Sequence, residues 1–141
     1  MDCVFCEIVA GRLPASFVWK GEDVLAFMSL EQPNPYKVLV IPRVHIETLY
    51  DLSSDQAARI FQTTVRVARA IRDVSGCEGL NVVQSNGRVG QQDVFHFHLH
   101  LVPRFHDDTA TGRILLHWDN TEQERSILDA LAADLRSHLQ L

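Results

Sequence analysis

Few short segments restrict a backbone as tightly as His96-Phe97-His98-Leu99-His100-Leu101-Val102. Side chains alternate faces along an extended strand. The spacing therefore predicts a strand over 94–102, stopped by Pro103, with His96, His98 and His100 on one face. Phe95, Phe97, Leu99 and Leu101 take the other face, where they can pack under a helix. The polar face then carries three imidazoles about 6–7 Å apart along the chain. An ordinary solvated face would carry Lys, Glu or Thr, so the row points to chemistry. Two chemistries suit it. A His-x-His pair with a third ligand can hold a catalytic zinc. Alternatively, a neutral imidazole, abundant at pH 7, can itself attack phosphorus. The preceding loop, Ser85 to Asp93, offers backbone N–H groups, amides and a hydroxyl that can meet phosphate oxygens.

The rest of the chain supplies partners for that strand. Cys3 to Ala10 reads as a short helix stopped at Gly11. Phe17-Val18-Trp19 and Val24 to Met28 flank Lys20-Gly21-Glu22-Asp23, the pattern of a β-hairpin. Gln32-Pro33-Asn34-Pro35 is a loop, and Val38 to Ile41 a buried strand ended by Pro42. From Ser53, a capping box with Gln56 opens a long amphipathic helix. Its apolar side is Ala57, Ile60, Phe61, Thr64, Ala68, Ile71 and Val74, and it ends before Gly76. Gly79 to Gln84 reads as another strand, and Ile127, Leu128, Leu131, Leu135 and Leu139 mark a last helix. The order α-β-β-β-α-β-β-α with short turns predicts an α+β fold: an antiparallel sheet with the long helix and the C-terminal helix packed on it.

Composition narrows the class of partner. A chain of 141 residues with 46% hydrophobic and 22% charged residues fits one soluble domain. A formal charge of −5 argues against nucleic acid. No apolar run approaches membrane-spanning length, and no leader-like N-terminus is present, so a cytoplasmic protein without a membrane partner is expected. Three cysteines are too few for a disulfide scaffold. Cys3 and Cys6 form a C-x-x-C pair, either half a metal site or a redox pair, and Cys77 reads as a structural thiol.

The triad segment resembles the signature of the histidine triad (HIT) superfamily. Cys3-Val4-Phe5-Cys6-Glu7-Ile8-Val9-Ala10-Gly11 is similar to the opening of bacterial, zinc-containing members of its Hint-like branch. Leu39-Val40-Ile41-Pro42-Arg43-Val44-His45, Gly79 to Gly87 and Val102-Pro103-Arg104 match in the same order. The resemblance covers about residues 3–105 and implies a single HIT domain over 1–141, with a C-terminal helical extension at about 106–141.

That resemblance implies a nucleotide-binding hydrolase or transferase acting at the α-phosphate of a phosphoramidate, acyl adenylate or dinucleoside polyphosphate. His98 would form a nucleotidyl-histidine, and His100 would contact the phosphate and help the leaving group. Gln92 and Asp93 would sit beside the leaving group, and Ser85 falls in the phosphate loop. Phe5, Ile8, Leu13 and Leu30 fall where the family lines its base pocket, and Ser29 where it holds the ribose. Cys3, Cys6, His45 and His96 match a structural zinc set, which removes His96 from acid–base work. A purine nucleotide ligand and a homodimer are implied as well.

The chain also departs from the family. Lys37 stands where many members carry a histidine, Ser29 where an acidic or amide residue is frequent, and Ser85 where asparagine is frequent. Two alternatives stay open: a nucleotide- or partner-binding module with little turnover, and a catalytic zinc hydrolase with His96, His98 and His100 as ligands. Chelation separates the last, because only that enzyme loses its chemistry with its metal.

Overall fold

A computed structural model describes residues 2–108 and 121–139. The chain begins with α1 (Val4–Val9), which Gly11 closes with a φ of +76°. Strands β1 (Phe17–Lys20), β2 (Val24–Met28) and β3 (Val38–Pro42) follow. Helix α2 (Ser54–Ser75) has the Ser53–Gln56 capping box at one end and left-handed Gly76 at the other. Then come β4 (Gly79–Val83), β5 (Leu99–Arg104) and α3 (Arg125–His138). The strands form one antiparallel sheet in the order β1-β2-β3-β5-β4.

Strict alternation divides the core between the two faces. Val24, Ala26, Val38, Val40, Leu99 and Leu101 point to α2 and bury Ile60, Val67 and Ile71 beneath the sheet. Leu25, Phe27, Leu39 and Ile41 point to the opposite face, where α1 lays down Cys3 and Phe5. The alternation predicted for the triad segment holds on both sides. Phe97, Leu99 and Leu101 belong to the α2 core, while Phe5 stacks edge-on against His96 and His98.

Two expectations need correction. The strand starts at Leu99, not at Val94. Pro42 has no N–H to continue the β3–β5 ladder, and its carbonyl accepts from the His96 ring at 2.8 Å instead. The Phe97 N–H turns to the Ile46 carbonyl, so the chain before Leu99 leaves the sheet. Helix α3 forms where the spacing predicts but does not pack on the sheet as expected. None of its residues is buried, and Ile127, Leu128, Leu131 and Leu135 are exposed. No described helix is long and apolar enough to cross a membrane.

Candidate functional site

Leaving the sheet at Leu99 has a chemical consequence: the three histidines no longer share one environment. His96, fully buried, turns Nδ1 toward Cys3 Sγ at 3.5 Å and Cys6 Sγ at 3.6 Å. His45 Nδ1 lies 3.3 Å from Cys6 Sγ. Zinc bonds of about 2.3 Å to sulfur and 2.0–2.1 Å to nitrogen make the S···N edge of a tetrahedron about 3.5 Å long. The spacing of the four donors, all within 4.8 Å of one another, fits such an ion.

The surroundings fit too. Cys3 caps α1, and its sulfur accepts the Cys6 N–H at 3.4 Å. The remaining nitrogen of His96 donates to the Pro42 carbonyl, which fixes the tautomer that exposes Nδ1. Burial pushes the His96 imidazole below its ordinary range and so favours the neutral form that ligates a cation. Burial, with Cys3 beside it, pushes the metal-free Cys6 thiol up to about 11. A cation among the donors would reverse that, because a coordinating thiol is deprotonated. Glu47, which the sequence reading passed over, faces His45 Nε2 at 3.9 Å.

Asp93, His98 and His100 form the other cluster of metal-capable side chains among the described residues. His98 is buried, and its Nδ1 donates to the His96 carbonyl at 2.7 Å. In the neutral ring this leaves Nε2 as the free nitrogen, with Asp93 Oδ1 3.4 Å away. Burial, followed by the nearby His98 and Lys37, lowers His100 to about 4. His100 therefore stays neutral at pH 7 and can serve as a hydrogen-bond donor. Burial alone would raise the Asp93 carboxyl, but the backbone N–H groups of Val94 and Asp93, with His98 and His100, hold it below its usual range. A single zinc bound by all three triad histidines does not match this arrangement, because His96 belongs to the other cluster.

The remaining expected site residues divide. The buried Gln92 amide is fully engaged: it accepts from the Gly87 N–H at 2.8 Å and donates to the Glu47 and Val94 carbonyls. It anchors the loop carrying Asp93. Ser85 is half-buried in the same loop, and its carbonyl accepts from Gln84. Phe5 touches a histidine of each cluster edge-on, His96 at 5.8 Å and His98 at 5.2 Å between ring centroids. Ile8 and Leu13 line a cavity of about 390 Å³ with Phe17, Leu25, Lys20 and Arg43, but no triad histidine lines it. Leu30 is fully exposed, so the structure does not bring it into a wall with the other three. Ser29, half-buried, joins its N–H to the Lys37 carbonyl at 3.1 Å.

The HIT domain family model matches residues 10–107. The adenosine 5'-monophosphoramidase hnt1 of Schizosaccharomyces pombe is 30% identical over 140 residues, covering 99% of this chain and 100% of that protein. Among solved structures, a HIT family member from Bacillus subtilis superposes with a TM-score of 0.93 at 33% identity, covering 100% and 99% of the two chains. A zinc-bound histidine triad family protein from Mycobacterium smegmatis gives a TM-score of 0.73 at 32% identity, with 97% of each chain covered.

Proposed function

The chain belongs to the HIT domain family, and we propose that it is a nucleotide hydrolase or transferase that acts through a nucleotidyl-histidine on His98. The observation that carries this reading is the His98 ring: Nδ1 is bound to a backbone carbonyl, and Nε2 is left facing the Asp93 carboxylate. The Nε2 lone pair forms a bond to the α-phosphorus as the bond to the leaving group breaks. Water then attacks phosphorus, the N–P bond breaks, and the ring is restored. His100, neutral, donates to a phosphate oxygen. The ligand class is a purine nucleotide or nucleotide conjugate, in keeping with the adenosine 5'-monophosphoramidase to which the chain is similar.

Cys3, Cys6, His45 and His96 would hold a structural zinc, a reading supported by the tetrahedral spacing and by the zinc-bound relative. The ion would tie α1 to the segment carrying His98 and take no part in the chemistry. We further assign 1–141 to one domain working as a cytoplasmic homodimer. The exposed apolar row of α3 is the surface that supports self-association.

The test is to trap the intermediate. Wild-type protein quenched during turnover of an α-phosphate-labelled adenylated substrate should carry label on His98. His98→Ala should lose at least about 10³-fold in turnover while retaining AMP. Label on another residue would remove His98 from the mechanism. AMP binding by wild-type protein without turnover on any adenylated substrate would favour the binding-module reading.

A further inference from the structure

Lys37 lies just before β3, where Leu39 pairs with His100 and Val38 with Leu101. Continued by one residue, that register sets Lys37 opposite Val102, two residues past His100. The order along the strands is therefore His98, His100, Lys37, with Lys37 beyond His100 as seen from the nucleophile. Its charge is close enough to disfavour protonation of His100.

The backbone that presents Lys37 is held from several directions. The Gln32 side chain brackets it, accepting the Lys37 N–H at 3.0 Å and donating to the Lys37 carbonyl at 2.7 Å. Buried Asn34 ties the same loop to the Pro103 carbonyl on β5 at 2.9 Å. Tyr36, immediately before Lys37, sits at a φ of +75°, a conformation strained for a non-glycine residue. A solvated lysine needs none of these restraints.

We propose that Lys37 is the specificity-determining cation of this site, meeting the leaving group and favouring nucleotidyl substrates whose leaving group departs as an anion, a polyphosphate or a carboxylate, over those that release an amine. This rests on the reading of His98 as the nucleophile. Attack on phosphorus is in line, so the leaving group departs on the side opposite Nε2. An amine must gain a proton as it leaves, and His100 is held neutral, with no imidazolium proton to give. A polyphosphate or carboxylate needs no proton; it needs a positive charge. Asp93, the acid of the cluster, lies 3.4 Å from His98 Nε2 and within 4.8 Å of the His100 donor atom, so a cation beyond His100 is what offsets its charge toward an anionic leaving group.

The experiment compares kcat/KM for diadenosine tetraphosphate and for AMP phosphoramidate in wild type, Lys37→Met and Lys37→Arg. Loss of a charge-assisted contact should lower the tetraphosphate value about 10- to 100-fold in Lys37→Met. The phosphoramidate value should change less than about 3-fold, and Lys37→Arg should recover most of the tetraphosphate activity. Equal losses on both substrates, or no loss on the tetraphosphate, would overturn the role of Lys37 while leaving His98 labelling intact. Absence of label on His98 in the wild type would remove the nucleophile reading and this proposal with it.

Discussion

The two side-chain clusters on the α1 face of the sheet share a short segment yet are built to opposite ends. In the first, Cys3, Cys6, His45 and His96 turn their donor atoms toward one another, and His96 is fully buried. In the second, the His96 carbonyl holds His98 from behind, while Nε2 of His98 meets a carboxylate that is mostly exposed. One cluster saturates its donors and the other withholds an atom. The difference separates a fastener from a reagent, although both draw on histidines two residues apart.

Removing a donor from the closed cluster should give the largest effect. With the proposed zinc bound, Cys6→Ser should release it and cost more than about 4 kcal/mol of stability. Metal content by elemental analysis and denaturant midpoints check this. Chelation of the wild type should lower Tm sharply, yet reduce turnover far below the melting temperature less than about 10-fold. Immediate and complete loss of turnover on chelation, with Tm unchanged, would erase the distinction between the clusters.

Gln92→Ala should have an intermediate effect. It leaves the Gly87 N–H and two carbonyls without their partner, at a cost of about 1–3 kcal/mol. Amide exchange should quicken in the loop 84–94 and not around Cys6. An unchanged exchange pattern would show that the loop has other restraints.

The smallest effect concerns pH. His100 has a folded-state pKa of about 4 against an ordinary 6.5, so between these values the unfolded chain binds the extra proton. Its contribution to stability is complete above about pH 6.5 and is lost progressively as pH falls toward 4. Denaturant titrations of wild type and His100→Gln should converge across that window. Parallel curves would place the acid sensitivity elsewhere.

Much of this was legible in the sequence because it depends on periodicity. The alternation of His and apolar residues from 96 to 101 assigns faces whether or not the segment is hydrogen-bonded as a strand. The Ser53–Gln56 box and Gly76 likewise bound α2 by local chemistry. The departure from the sheet before Leu99 was hidden, because it depends on Pro42 meeting His96 across 54 positions. The anchoring role of Gln92 was hidden for a similar reason: its partners include the Glu47 carbonyl, which no spacing near residue 92 discloses. The apolar row of α3 was read correctly as amphipathic, but amphipathicity names no partner, and among the described residues the row is exposed.

The ring orientations of both clusters are set by backbone oxygens: the Pro42 carbonyl for His96 and the His96 carbonyl for His98. Backbone oxygens lie outside the reach of the genetic code. A scan of single substitutions can strip the site of its imidazoles, yet no side-chain replacement at 42 or 96 deletes the acceptor that aims them. The orientation of the proposed nucleophile is in this sense shielded from mutation, and an amide-to-ester replacement in the chain itself would be needed to disturb it directly.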